Sequence, residues 1–156
     1  MTARVGSLRM VAFVSAGFLG SGSVAGSSAA DPDDRDQVER GAALYAANCA
    51  SCHGARLEGQ PDWRTEKPDG TYPAPPHDAD GHTWHHSDRL LLRYTRLGGA
   101  EALKDVPGFR SGMPGFGDRL GDREIRAIFA FLKAQWTERE RDYQRAVTDN
   151  DKDSQN

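Results

Sequence analysis

The feature that most constrains this chain is the pentapeptide Cys49-Ala50-Ser51-Cys52-His53. Two cysteines three positions apart, followed at once by a histidine, form the attachment motif of a c-type haem. On one turn of helix, both thiols can reach the two vinyl groups at one edge of a porphyrin. His53 would then lie against the ring, where an imidazole nitrogen can bind the iron as the proximal ligand. The motif therefore predicts one covalently attached haem c.

Three other uses of a cysteine pair fit the sequence less well. A thioredoxin-like pair lies beside a βαβ pattern, and none is visible around Cys49. A zinc site takes four ligands, usually with a second cysteine pair, but this chain has only 2 cysteines. A disulfide between Cys49 and Cys52 would close a very small loop and contribute little stability. The histidine that follows Cys52 favours haem attachment.

Residues 1–30 have the pattern of an export signal peptide. Two arginines precede a short apolar run at 10–20, and Ser28-Ala29-Ala30 offers small residues for cleavage before Asp31. The apolar run is shorter than the roughly 20 residues that span a bilayer, so an uncleaved membrane anchor is the less favoured alternative. Export would deliver both cysteines to the periplasm or to another oxidising compartment.

The chain that follows the predicted signal is mildly acidic. Residues 1–30 hold two of the 20 basic residues and none of the 23 acidic ones, so residues 31–156 have a formal net charge of −5. Nucleic acids select clustered positive charge, which argues against a nucleic-acid partner. An acidic field favours protein partners with a basic docking face. The length suits one domain, and we expect residues 31–136 to form it.

Apolar residues at helical spacing predict three main helices. The first runs from about Asp36 to Cys49, and Gly41 lies on its apolar face. Glycine costs about 1 kcal/mol in a helix, so its presence predicts that another element crosses very close. A second helix follows the cap residue Ser87 and ends at Gly98-Gly99. A third begins near Asp122 and runs at least to Trp136.

Long irregular segments separate and follow these helices. Residues 54–83 are rich in glycine and proline, and a loop of this length is unusual in a compact domain unless it packs on a cofactor. Within it, the Pro61 carbonyl is a candidate acceptor for the second ring nitrogen of His53, with a simple turn proline as the equal alternative. Residues 137–156 form a charged extension. We expect helix to about Tyr143 and disorder over the last ten residues.

Four of the 5 histidines lie between residues 77 and 86. Imidazole clusters can bind copper or zinc, so one hypothesis places copper at His82, His85 and His86. The alternative is that His82 and Trp84 line the haem edge and bond the propionates, while His77 and the other histidines are solvated. The second interpretation is favoured because histidine-rich tracts are only compositional evidence of metal binding.

Met113 is the candidate for the second axial ligand of the iron. The other two methionines lie within the predicted signal, so Met113 is the only thioether of residues 31–156. A lone methionine usually fills a core, but this one lies in a polar, glycine-rich loop without an apolar pattern. Ligation by Met113 is therefore favoured, with a histidine or an open position as the alternatives.

Taken together, these motifs resemble a class I c-type cytochrome with one haem. The resemblance covers about residues 36–136 and rests on the haem motif, the Met113-Pro114-x-Phe116 loop and the closing helix GDREIRAIFAFLKAQW. It implies an all-α, small cytochrome c fold, with three main helices and long loops wrapped around one covalently attached haem. It also implies that the first and last of these helices cross near Gly41, Tyr45, Ile128 and Phe131.

The function implied by this resemblance is one-electron transport without enzymatic catalysis. If His53 and Met113 fill both axial positions, the iron has no open site for a substrate. Trp84 and Phe116 would keep water from the haem pocket, and redox proteins would dock transiently. Two alternatives stay open. One is a haem sensor or enzyme with an open iron, if Met113 is not a ligand. The other is a haem protein coupled to copper handling through the cluster His77–His86.

Overall fold

The computed structural model describes residues 29–153, and this range contains six α-helices and no strand. The helices are α1 (Arg35–Asn48), α2 (Ala50–His53), α3 (Asp88–Leu97), α4 (Gly99–Ala102), α5 (Asp122–Ala134) and α6 (Glu138–Asp153), and a 3-10 turn (Thr83–His85) precedes α3. The predicted all-α fold class is confirmed. The export signal predicted for residues 1–30 lies outside the described residues, apart from Ala29 and Ala30. None of the helices between residues 29 and 153 combines the length and apolar character that crossing a membrane requires.

The core is organised around the crossing of α1 and α5. A Cβ atom added to Gly41 would lie 1.9 Å from the carbonyl oxygen of Ala127 and 2.9 Å from the Cβ of Phe131. Only glycine permits this approach of the two helices. One turn later, the buried Tyr45 ring packs 5.5 Å from the Phe131 ring. The predicted crossing of the first and last main helices near Gly41, Tyr45 and Phe131 is confirmed.

Among the helices between residues 29 and 153, α5 has the largest number of buried residues. Its start is fixed by the Glu124 carboxylate, which accepts a hydrogen bond of 3.1 Å from the Gly121 N–H. The helix ends at Ala134, two residues earlier than predicted, and Trp136 is nevertheless buried after the helix has ended. The apolar stripe predicted from spacing is buried as expected, and it comprises Ile125, Ile128, Phe129, Leu132 and Trp136.

The C-terminal segment differs from its prediction, because α6 continues to Asp153. The expectation of disorder is therefore wrong for residues 147–153. A capping interaction starts the helix, with the Thr137 N–H donating to the Glu140 carboxylate at 3.0 Å. Further along, the buried Gln144 side chain donates to the His86 carbonyl at 3.2 Å. Such tertiary contacts stabilise a charged helix that would be marginal in isolation.

Candidate haem-binding site

The cysteine motif lies at the junction of α1 and α2. Cys49 keeps a helical conformation between the two helices, with φ −116° and ψ −36°. The N–H groups of Cys52 and His53 both donate to the Cys49 carbonyl, at 3.1 and 2.9 Å. Residues three apart on such a turn are neighbours on the same side. The predicted placement of the two cysteines on one helical turn is thus observed, and no disulfide joins them.

The two thiols have different surroundings. Cys49 is partly buried against the core, whereas Cys52 is exposed. Burial, with a smaller contribution from Cys52, raises the pKa of the Cys49 thiol to about 11. A redox-active pair of the thioredoxin kind needs a thiolate, which this environment disfavours. An uncharged thioether suits the apolar position of Cys49 better.

Tyr45 ties the end of the motif to α1. Its hydroxyl donates a hydrogen bond of 2.8 Å to the carbonyl of Gly54, the residue that follows α2. Burial raises the pKa of the Tyr45 hydroxyl, so the group remains a donor at ordinary pH. Tyr45 therefore contacts both sites, because its ring packs on Phe131 at the helix crossing and its hydroxyl bonds to the residue after the haem motif.

His53 is buried and has a defined ring orientation. Its Nδ1 lies 2.8 Å from the carbonyl oxygen of Pro75. A carbonyl can only accept, so Nδ1 carries the proton and Nε2 keeps the lone pair that a metal ion requires. Burial lowers the pKa of His53, an effect that the bond to Pro75 partly opposes. The neutral imidazole is the form that binds a metal.

The prediction of Pro61 as the acceptor for His53 was wrong, because the acceptor is Pro75. The reason is the packing of the loop at Gly59, where an added Cβ would lie 2.4 Å from the nitrogen of Pro76. The Gly59 N–H also donates to the His53 carbonyl at 2.8 Å. These contacts lay the Pro75-Pro76 segment beside His53, while Pro61 is exposed.

His77 is partly buried and packs against His53, whereas the prediction was that it is solvated. The two imidazole rings are stacked, with centroids 4.1 Å apart and planes inclined by 24°. Nδ1 of His77 lies 2.7 Å from the hydroxyl oxygen of Thr83. Burial, followed by the neighbouring histidines, lowers the pKa of His77 well below its usual range. His77 is thus a neutral ring next to the candidate iron ligand.

The other three histidines of the cluster lie among aromatic rings. His82 stacks on Trp63 with centroids 5.3 Å apart, and His86 meets His82 edge-on at 5.2 Å. His85 packs on Trp84 at 3.7 Å. In the part of the chain that the structure describes, no group of three His, Cys, Asp or Glu side chains could hold a metal ion. The geometry therefore gives no support to the copper hypothesis.

Trp84 carries an unpaired polar atom. Its Nε1 is the only buried side-chain nitrogen or oxygen between residues 29 and 153 that lacks a hydrogen-bond partner. Buried indole N–H groups usually have one. The Trp84 ring packs against the core and meets the Tyr143 ring of α6 edge-on at 5.4 Å. A free N–H donor is compatible with the prediction that Trp84 bonds a haem propionate, which stays a prediction.

Met113 is held in place by the end of α3 and the start of α4. Its carbonyl accepts from the Gly99 N–H at 3.0 Å, and its N–H donates to the Ser111 hydroxyl at 3.2 Å. Ser111 is in turn bonded to the Tyr94 hydroxyl at 2.7 Å. The backbone of Met113 is therefore fixed on both sides. Its side chain is partly buried against the same core cluster as Cys49.

The residues present fit a covalently attached haem. They offer two thiols, an imidazole with a free Nε2, a thioether and an unpaired N–H donor. The predicted site residues that belong to or pack against this cluster are Cys49, Trp84, Met113 and Phe116. Prediction from the sequence missed Pro75 and His77, since neither residue has a spacing or a motif that assigns its role.

Comparison with known proteins agrees with this donor set. A family model described as cytochrome c matches residues 38–136, which include the motif of Cys49, Cys52 and His53 as well as Met113. No match was found among curated protein sequences or among solved structures. The family match covers more than half of the chain and ends before α6. This chain belongs to the cytochrome c family, whose members carry covalently attached haem c.

Proposed function

We propose that this protein is an exported one-electron carrier in which His53 and Met113 are the two axial ligands of the haem iron. The observation that carries the proposal is the hydrogen bond from His53 Nδ1 to Pro75 at 2.8 Å. This bond leaves Nε2 as the only ring nitrogen with a lone pair. It also raises the basicity of the imidazole and holds its orientation, as outer partners of metal-binding histidines generally do.

The fixed backbone of Met113 supports the thioether as the second ligand. Hydrogen bonds at both its N–H and its carbonyl limit the positions that the flexible side chain can reach. Thioether ligation favours the reduced iron more than a second histidine would. With both positions filled, the protein has no site for a substrate at the iron, which supports a carrier and not an enzyme.

When bound, haem c supplies an iron that gains and loses a single electron. The chain's own contribution is to hold the ligands and to exclude water. Phe116 is buried in the core cluster, and Trp84 packs against it. The free Nε1–H of Trp84 would donate to a propionate, which would hold that charged group in a partly buried place.

Export and transient docking complete the proposal. The pattern of residues 1–30 supports a signal peptide, and attachment through two cysteines suits a compartment where thiols do not stay free. The net charge of −5 over residues 31–156 favours redox partners with a basic face. Small, polar interfaces allow such partners to separate quickly after the electron has moved.

Replacing Met113 tests the ligand assignment. We expect the ferric wild-type protein to show the weak long-wavelength absorption band of iron bound to a thioether. Met113→Ala should lose this band and lower the reduction potential, because the thioether no longer favours the reduced iron. Val106→Ala is the matched control, since Val106 lies in the same loop and is 47% exposed. Persistence of the band in Met113→Ala would show that another group is the ligand.

A further inference from the structure

We propose that His77 is a positioning residue for His53, which sets the plane of the proximal imidazole and stabilises the oxidised state of the site. The inference deepens the proposed function and rests on it, because it assumes that His53 binds the iron. It concerns a residue that the sequence places in the histidine-rich segment but to which no motif assigns a role at the iron.

The ring of His77 is restrained at several points. The backbone N–H of His77 donates to the Leu57 carbonyl at 2.8 Å, and the His77 carbonyl accepts from Trp136 Nε1 at 2.8 Å. Its Nδ1 lies 2.7 Å from the Thr83 hydroxyl oxygen. Both the backbone and the ring are therefore fixed, so the ring presents one face to His53 at a constant place.

A second restraint on His53 adds something that Pro75 alone does not supply. The hydrogen bond to Pro75 fixes one atom of the His53 ring and leaves rotation about the line of that bond possible. A ring stacked at 4.1 Å, with planes only 24° apart, opposes that rotation across a whole face. His77 and Pro75 together define the imidazole plane. The orientation of that plane affects the electronic structure of a low-spin haem.

The stack also has an electrostatic consequence. An imidazole bound to oxidised iron carries more positive charge than one bound to reduced iron. The face of an aromatic ring attracts positive charge, and the attraction is stronger away from water. The face of His77 should therefore stabilise the oxidised protein and lower the reduction potential. An aliphatic side chain in the same place would fill the space without this effect.

Three variants separate positioning from simple packing. They are His77→Leu, which removes the ring, His77→Phe, which keeps a ring face, and Thr83→Val, which removes the polar anchor of the ring. Thr71→Val is the matched control, because its hydroxyl bonds only to Asp69 within the same loop. Each would be made in the full-length, haem-loaded protein. Measurements are the reduction potential, the g values of the ferric electron paramagnetic resonance spectrum, and unfolding in urea.

We expect His77→Leu to raise the reduction potential and to shift the g values. His77→Phe should keep a potential close to that of the wild type, because it retains the ring face. Thr83→Val should shift the g values less than His77→Leu does, and Thr71→Val should shift neither quantity. If His77→Leu does not assemble, Thr83→Val and His77→Phe still test the anchor, because both remove the bond between the ring and the Thr83 hydroxyl while a ring remains at position 77.

Wild-type potential and g values in His77→Leu, together with a lower stability, would overturn the inference and leave His77 as core packing. If His77→Leu does not assemble, unchanged g values in Thr83→Val would overturn it. Failure of the proposed function is seen separately, because it would appear in the wild-type spectrum before any variant is made. A wild-type protein with a thioether band and unchanged variants would thus reject only the role of His77.

Discussion

Replacing Gly41 with alanine tests the helix crossing that supports the haem motif. The added Cβ would lie 1.9 Å from the Ala127 oxygen, and ordinary contact begins at 3.4 Å, so α1 and α5 must separate by about 1.5 Å. The obstacle is backbone and cannot rotate away. Overpacking of this kind costs typically 1–3 kcal/mol. Alanine regains about 1 kcal/mol of helix propensity. Taking the upper end of the overpacking range, we expect the free energy of unfolding of Gly41→Ala to be about 2 kcal/mol lower than that of the wild type.

Urea unfolding of the haem-loaded protein measures this loss. Because the slope for small proteins is about 1–3 kcal/mol per molar urea, a loss of about 2 kcal/mol lowers the midpoint by about 1 M. Ala43→Gly is the matched control, because Ala43 is an exposed residue of the same helix. It should cost about 1 kcal/mol through propensity alone.

The result that would refute the reasoning is a stabilised Gly41→Ala protein. A gain of about 1 kcal/mol, equal and opposite to the effect of Ala43→Gly, would mean that propensity alone acts at this position. In that case α1 and α5 would not be in backbone contact in solution. The explanation of why glycine occupies this position would then fail.

Three further variants test other contacts of the fold. Trp84→Phe should lower the melting temperature of the haem-loaded protein more than that of the haem-free protein. Only the haem-loaded protein has a propionate that the Trp84 N–H can bond, and a hydrogen bond to a charged group contributes about 1.5–3 kcal/mol. Lys133→Met should lower the free energy of unfolding in urea by about 3 kcal/mol. The Lys133 and Asp88 side chains are only 10% and 18% exposed, so the variant would leave the Asp88 carboxylate largely buried without its cation. Hydrogen bonding to Arg89 lowers the pKa of Asp151 from 3.8 to about 2. The ionised Asp151 therefore contributes fully to the stability of the folded protein above pH 3.8, and this contribution is lost as the pH falls towards 2. Asp151→Asn should remove this part of an acid-unfolding curve, and an unchanged curve would show that the pair contributes nothing.

Local patterns in the sequence were sufficient for much of the fold. The helices α1, α3 and α5 follow apolar spacing and cap residues that act within a few positions. Ser87, for example, accepts a hydrogen bond from the Leu90 N–H at 3.2 Å, as its type predicts. The close crossing at Gly41 was also predictable, because an unfavourable residue on an apolar face needs a reason. Each of these inferences depends on chemistry that is local in the chain.

Features that depend on contacts distant in sequence were missed or misassigned. Pro61 and Pro75 are equivalent by residue type, and only the packing at Gly59 selects Pro75 as the partner of His53. Counting residues along a loop cannot reveal how the loop closes. The start of α6 had a local signal, Thr137 followed three residues later by Glu140, which the charge-rich composition obscured.

The position of α6 changes how the histidine-rich segment should be understood. This segment contains no strand or long helix of its own, yet both of its ends are held. At one end His77 stacks on His53, and at the other the Gln144 side chain of α6 bonds to the His86 carbonyl. Between them, Trp84 packs against the core and against Tyr143. The charged extension beyond the family match therefore packs on Trp84 as well as on the histidine-rich segment, and it belongs to the surroundings of the candidate haem site.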